Sequence, residues 1–378
     1  MRFFVSGGLG FIGVNFVKRA LSEGHQVTVV DSLSAQIHDI EAVNIAAEIR
    51  RLGANVIIED ILNIDAYKAD LLEAECIVHL AAETGTSQSM YRIKNYVETN
   101  CVGIAALFDI LLNNLDKAQL NNFVLASSRS IYGEGAYSCP IHGISYPKSR
   151  AKEDLMNQVW GFSCDSCDHP LEAIATKENS SLNSVSIYAH TKFSQEEILR
   201  ICAQAMGVNY KILRFQNVYG VGQSLKNPYT GILSIFVNRL KQNIDLPLFE
   251  DGAMIRDFVY ISDVVQGILL ASESSDSQHN IFNIGSGIPS KISDVVNSLI
   301  RLHPSSRSNC YVSSEYRLGD VRSCFADISL AQRVLGFRPR VGLDEGLTKF
   351  VRWASEEAVY QDRLTQANEE LKDRGLMR

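Results

Sequence analysis

Tyr188 and Lys192 stand four residues apart in the run Ser186-Ile-Tyr-Ala-His-Thr-Lys192, which reads as the opening of a helix. Side chains at i and i+4 share one helix face, so the phenol and the ammonium are neighbours. An ammonium beside a phenol lowers its pKa and makes the phenolate a usable base. Ser128 follows the apolar run Phe123-Val-Leu-Ala126, a strand signature, and is placed to hydrogen-bond the same substrate hydroxyl. Tyrosine, lysine and serine of this kind, next to a dinucleotide, make a site for hydride transfer. His190 lies inside the motif but on another face of the helix.

The element that would hold the dinucleotide opens the chain. Phe3-Phe-Val5 reads as a buried strand, Gly7, Gly8, Gly10 and Gly13 follow, and an amphipathic run covers 11–23. Such glycines allow a tight turn and let main-chain N–H groups approach a pyrophosphate. The helix then points its positive N-terminal end at the phosphates. A second strand over 24–30 ends in Asp31. An acid there accepts hydrogen bonds from the adenosine ribose and repels a 2′-phosphate, which selects NAD.

Further strands are predicted at 56–61, 76–80 and 123–126, with helical periods at 36–52 and 96–115 between them. Strands alternating with helices predict an α/β fold, a Rossmann-type doubly wound parallel sheet. Ligands bind beyond the carboxyl ends of such strands. Gly7–Gly13, Asp31, Asp60, Ala81 with Ala82, and Ser127 with Ser128 all follow predicted strand ends and would converge on one crevice. A helix at 186–206 and a strand at 208–215 complete an NAD-binding domain over 1–215. Short strands at 258–261 and 280–284, with helices at 232–240, 262–272 and 292–302, predict a smaller C-terminal substrate-binding lobe over 216–378. The stretch 344–378 is predominantly helical, with a charged end expected to fray or to meet another subunit.

The 378 residues carry a net charge of −7 with no long basic run, which speaks against nucleic acid and anionic membranes as partners. No apolar stretch reaches a membrane span. The first strand leaves no room for a signal peptide. Most of the eight cysteines are scattered, as suits a reducing cytoplasm. An irregular insert over about 134–182 is different: Cys139-Pro-Ile-His142 and Cys164-Asp-Ser-Cys167 form two short knuckles around a helical stretch at 148–160. Cys₃His is an accepted structural zinc set, and a zinc would pin an insert with little apolar material of its own. The same residues also read as a Cys164–Cys167 redox pair or as plain buried thiols.

With these motifs the chain resembles the extended short-chain dehydrogenase/reductases, in their nucleotide-sugar epimerase and dehydratase group. GGLGFIG, EDI, HLAAET, ASSRSIYG, YAHTK, LRFQNVYG, IRDFVYISDV and RLGD carry the resemblance from Met1 to about Trp353. It implies that Tyr188 is the base, that Lys192 binds the nicotinamide ribose and that Ser128 assists at the sugar 4-OH. It places Asp60 and Ile61 beside adenine and adds Phe11, Ile12, Leu80, Ala82 and Asn100 to the cofactor set. For the substrate it implies Thr86 and, at the nucleotide diphosphate, Asn217, Arg256 and Arg317. Guanidinium forks suit phosphate oxygens.

Dehydratases of the group carry Asp-Glu after the Ser/Thr, and decarboxylating relatives need a Glu at the second place. Here those positions are Arg129 and Ser130. The resemblance therefore implies a 4-epimerase, with tightly bound NAD and a nucleotide-diphosphate sugar as partner. Cys324 matches the position where narrow-specificity relatives close the sugar pocket with a Tyr, and a Cys leaves more room. AAETGTSQSMY and NVYGVGQSLKNPYTGI resemble dTDP-L-rhamnose 4-epimerases most, with UDP-glucose or UDP-N-acetylglucosamine 4-epimerases as the alternative. A net dehydratase or oxidoreductase, and a non-catalytic NAD-binding protein, are the competing classes. Homologous enzymes imply a homodimer through the helices at 96–115 and 188–206.

Overall fold

The structure is a computed structural model that describes residues 1–38, 42–227, 229, 231–303 and 305–378. Its first strand, β1 (Arg2–Ser6), lies inside a parallel sheet with β2 (Gln26–Asp31), β3 (Asn55–Ile58), β4 (Cys76–His79) and β5 (Asn122–Ser128). Two later strands, Asn209–Phe215 and Ile281–Ile284, extend it, giving the order 281–284, 209–215, β5, β4, β1, β2, β3. Strand side chains alternate between faces. Phe3 and Val5 accordingly join one buried cluster and Phe4 the other. Helices cover both faces, which is why β1 is apolar without alternation. Each such side chain contributes roughly 1.5–3 kcal/mol by leaving water.

The helix α1 (Phe11–Ser22) follows the glycine turn. Gly7 adopts φ +70°, and a Cβ there would stand 2.7 Å from the main-chain nitrogen of Ala81. A Cβ on Gly13 would stand 2.4 Å from the carbonyl oxygen of Gly7. The loop, α1 and the end of β4 touch because these side chains are missing. The helical period at 36–52 is met by α2 (Ala42–Arg51); Asp39, Ile40 and Glu41 lie outside the described residues. Pro228 and Thr230 of the NVYGVGQSLKNPYTGI stretch also lie outside them.

Three features depart from the sequence reading. The strand Ile281–Ile284 pairs with Asn209–Phe215 in the central sheet, so the lobe that begins after residue 215 sends a strand back to it. The two parts also share one buried cluster, from Val5 and Phe16 to Leu240, Leu299 and Phe350. The helix expected at 96–115 starts at Ile93 and contains a π-helical turn, Val97–Val102, before the α-helix Gly103–Leu112. In the insert, helix is confined to Lys152–Met156, and the rest is built on a small antiparallel sheet of Gly143–Ser145, Tyr137–Cys139 and Glu172–Ala173. The lobe itself carries a small mixed sheet through Asn217–Tyr219, Ile255–Tyr260, Pro289–Lys291 and Ser323–Cys324.

Candidate active site

The helix Ile187–Met206 begins where its sequence says it should. Ser186 caps it, accepting from the N–H of Ala189 at 3.1 Å, and Gly207 ends it in the left-handed conformation. Tyr188 and Lys192 thus emerge from the first two turns on one face. β5 ends at Ser128, directly opposite. Lys192 is buried and donates from Nζ to the carbonyl oxygen of Ala126 at 2.8 Å, which ties the helix to β5. Ser128 accepts from the N–H of Ser130 at 3.2 Å and starts a short 3₁₀ turn. Tyr188, Lys192 and Ser128 line a single cavity with Gly7, Gly10 and Phe11.

The electrostatics at Tyr188 differ from the simple phenol–ammonium pair. Burial pushes the phenol up, while the Ser128 hydroxyl and the Arg129 guanidinium pull it down. Burial also pushes Lys192 down to about 8. His79 lies below, taken down to about 3 by burial and by the Lys192 charge, so it is neutral. Its ring is fixed by Ser6 Oγ at 2.7 Å and Gln195 Nε2 at 3.2 Å.

A second cavity continues the first across Gly7, Gly10, Leu80 and Ala82. Asp31, Asp60, Ile61 and Ala81 line it, so most of the expected cofactor set meets here or in the first cavity; Ile12 and Gly13 belong to the first. Asp31 accepts from the N–H groups of Leu9 and Leu33, each at 2.9 Å, and lies 3.5 Å from His38 Nε2. Burial opposes its ionisation, but His38 and these N–H groups outweigh it and hold the carboxyl below its ordinary range. Asn100 does not join the cavity. Its amide is consumed by Glu83, through both main-chain groups, and by Thr191 Oγ1.

A third cavity meets the first at Thr86, Arg129, Asn217 and Tyr229. Arg256 and Arg317 stand in it with Asp320, and Phe249, Pro247 and Ile235 make its apolar end. Arg256 Nη2 lies 3.1 Å from Asp320. Burial works against the Asp320 charge, but Arg256, Arg317 and Arg150 outweigh it and hold the carboxyl down. In the cavity itself Arg129, Arg256 and Arg317 stand with one carboxylate, Asp320, an excess of positive charge that suits a diphosphate. Arg129 donates from Nε to Asn217 Oδ1 at 2.9 Å, and its Nη1 is buried with no hydrogen-bond partner among the described residues. Cys324 lines neither cavity; its strand lies beside Arg256, and it packs with Ile131 and Tyr132. Sequence reasoning treated Arg129 only as a missing acid. It also missed Tyr229 and Leu364 as lining residues, for which no local motif exists.

A family model for the NAD dependent epimerase/dehydratase family matches residues 3–285. The chain belongs to that family. It is 33% identical to dTDP-L-rhamnose 4-epimerase of Burkholderia thailandensis over 358 residues, covering 94% of this chain and 95% of that one. It is 27% identical to UDP-glucuronate 4-epimerase of Thermodesulfobacterium geofontis, over 94% and 96% of the two chains. Among solved structures, UDP-glucose 4-epimerase of Thermotoga maritima with UDP-glucose aligns with a TM-score of 0.74 at 26% identity, over 94% of this chain and 99% of that one. UDP-glucuronic acid 4-epimerase of Bacillus cereus with UDP-glucuronic acid and NAD shares the fold, with a TM-score of 0.76 at 23% identity over 94% and 99%.

Among the described residues no helix is long and apolar enough to cross a membrane. In the insert, the ligand atoms of Cys139, His142, Cys164 and Cys167 all lie within 4.8 Å of one another.

Proposed function

We propose that the protein is an NAD-dependent nucleotide-sugar 4-epimerase, and that its substrate is a dTDP-6-deoxy-L-hexose of the dTDP-L-rhamnose kind. One observation carries the activity: the cavity of Ser128, Tyr188 and Lys192 shares lining residues with both the Asp31 cavity and the arginine-lined one. The relative at 33% identity supports the sugar.

The residues present fit NAD. α1 has Gly10 at its N-cap and no capping side chain, so its first turn is open to a phosphate. Asp31 suits the adenosine ribose. Bound NAD supplies the place to which the C4 hydride goes and from which it returns. Tyr188 takes the proton of the sugar 4-OH and later gives it back. Ser128 holds the same oxygen by a hydrogen bond, and Lys192 binds ribose hydroxyls and adds positive charge. Asn217, Arg256 and Arg317 hold the diphosphate, which leaves the hexose free to turn over between the two transfers. The 4-OH is oxidised and then reduced on its other face, with no net redox change. Arg129 and Ser130 supply no acid for elimination of water.

A second reading, a nucleotide-linked hexuronic acid, rests on Arg129, whose Nη1, buried and without a hydrogen-bond partner among the described residues, would suit a sugar carboxylate. The test is incubation of purified protein with dTDP-L-rhamnose, UDP-glucose, UDP-N-acetylglucosamine and UDP-glucuronic acid, with separation of the products. A 4-epimer of the first is expected. A 4-epimer of UDP-glucuronic acid alone selects the second reading, and absence of every 4-epimer rejects the activity.

The same proposal includes a structural zinc held by Cys139, His142, Cys164 and Cys167. Zinc bound at about 2.3 Å by sulfur and about 2.0 Å by nitrogen sets ligand atoms about 3.5–3.8 Å apart. Cys139 Sγ stands 3.5 Å from Cys167 Sγ and 3.7 Å from His142 Nδ1, and Cys164 Sγ stands 3.4 Å from His142 Nδ1. A disulfide needs about 2.05 Å. One equivalent of zinc in metal analysis is expected; a trace amount with the three insert thiols freely titratable rejects the site. A reducing, cytoplasmic setting accords with eight cysteines free of disulfides. A homodimer is proposed through the helices that carry Val97, Val102 and Ile201, which are 40%, 47% and 56% exposed. Light scattering decides it: a molar mass of twice the chain is expected, and a single-chain mass rejects it.

A further inference from the structure

The last fifteen residues cover the arginine-lined cavity. The helix Leu364–Asp373 turns Leu364, Ala367, Asn368 and Leu371 inward, all buried at helical spacing. Leu364 reaches the cavity itself. Asn368 Oδ1 accepts from Arg317 Nη2 at 2.8 Å. After the helix, the chain pairs with the segment that bears Arg317: the N–H of Tyr316 donates to the carbonyl of Arg378 at 2.8 Å, and that of Leu318 to Leu376 at 2.9 Å. Phe249 lies under the guanidinium at 4.7 Å. Arg317 is thus held by its backbone, by one Nη and by one flat face. Its Nε is buried with no hydrogen-bond partner among the described residues.

The same helix joins the two sides of the cleft. The Glu370 carboxylate accepts from Tyr91 Oη at 3.0 Å and from Tyr229 Oη at 3.2 Å. Tyr91 follows the Thr86–Ser89 turn of the NAD-binding part, and Tyr229 lies where the first and third cavities meet. Arg374 stacks over the Tyr91 ring at 4.4 Å.

We infer that the C-terminal helix is a wall of the nucleotide-diphosphate pocket, and that Asn368 is a positioning residue which aims Arg317 at the phosphate oxygens. This rests on the nucleotide-sugar reading above. A guanidinium loses rotamer freedom when it binds a phosphate, and an acceptor that already fixes one Nη removes part of that cost. Losing that hydrogen bond costs affinity for the diphosphate and leaves the distant NAD contacts alone.

The experiment is a double-mutant cycle on binding of dTDP to the NAD-loaded protein, read by titration calorimetry, with Asn368→Leu, Arg317→Met and the pair. Asn368→Leu is expected to weaken dTDP about tenfold. In the Arg317→Met background the same change should do almost nothing. NAD content is expected to stay at the wild-type level. If Asn368→Leu does not fold, Asn368→Ala removes the same acceptor without adding bulk. Unchanged dTDP affinity in the folded single variant overturns the inference, as does a loss that adds in full to that of Arg317→Met. Wild-type protein that binds neither dTDP nor UDP overturns both the inference and the reading beneath it.

Discussion

Lys192 Nζ donates to the carbonyl oxygen of Ala126, two residues before Ser128. The lysine is therefore a clamp between the helix of the base and the strand of the serine, besides being a charge. Replacing it by Met removes both functions at once. Lys192→Met is expected to abolish turnover and to lower NAD content in the purified protein, measured by absorbance after denaturation. Tyr188→Phe keeps the clamp, so it should retain NAD while losing about 10²–10⁴ in kcat. Equal NAD loss in the two variants would contradict the distinction.

The pH profile has a sign on each limb. In the proposed reaction Tyr188 is the base; in the protein by itself burial holds its phenol above the ordinary value, and Ser128 and Arg129 pull it down against that. Lys192, on the same helix, and the Tyr96 ring, 6.4 Å away, complete its surroundings. Taking away the Arg129 charge raises the phenol further. Arg129→Met should move the acidic limb of kcat to higher pH. Lys192 carries its charge below about 8 and loses it above, so activity should fall on the alkaline side from about pH 8. A limb unmoved in Arg129→Met would remove Arg129 from the account of the base.

Glu134 opens the insert and is buried beside Arg150. Burial pushes its carboxyl from the ordinary 4.5 up to about 7, against the pull of Arg150 and the N–H of Arg322. A carboxyl raised in the folded state gives stability that is complete below its unfolded value and is lost as pH rises through the folded one. The window is therefore about 4.5 to 7. Glu134→Gln should flatten this part of a plot of Tm against pH. An unchanged slope would refute the linkage.

Cys164→Ser removes one ligand of the proposed zinc. Zinc content should fall to a small fraction of an equivalent, and limited proteolysis should cut within 139–175 before it cuts the central sheet. NAD content should hold, because the knuckles lie in the insert, beside a small antiparallel sheet separate from the central one. Full zinc occupancy in the variant would exclude Cys164 as a ligand.

Gly13→Ala would put a Cβ 2.4 Å from the Gly7 carbonyl oxygen. Main chain cannot move aside cheaply, so about 1–3 kcal/mol of stability should be lost, read as a lower denaturant midpoint, along with NAD. Gly24→Ala is the control for positive φ without crowding, since nothing lies within 4 Å of its Cβ position.

Local chemistry was legible in the chain; distant pairing was not. Phe3-Phe-Val5 read as a strand because burial on both faces demands an unbroken apolar run. Tyr188 and Lys192 read as neighbours because helical spacing fixes them, and Ser186 marked the start of their helix. The two knuckles of the insert do come together, since two short ligand spacings within one insert favour it. By contrast, nothing in Ile281–Ile284 says which sheet it joins, because its apolar residues would suit any buried strand. The π-helical turn at Val97–Val102 keeps the composition of an α-helix. Asn100 was read as a cofactor contact, but an amide has no local sign that Glu83 and Thr191 will take its groups. The 364–371 face has a clear helical period, yet the period does not name Arg317 as its partner.

The return of Ile281–Ile284 to the sheet has a consequence for engineering. The boundary at residue 215 invites exchange of the C-terminal lobe between relatives to swap sugar preference. A lobe exchanged there has to bring a strand that pairs with Asn209–Phe215, and one that pairs poorly leaves that side of the sheet open to other chains. The two parts are laced together rather than joined end to end. Specificity in this protein has to be transplanted residue by residue, not as a cassette.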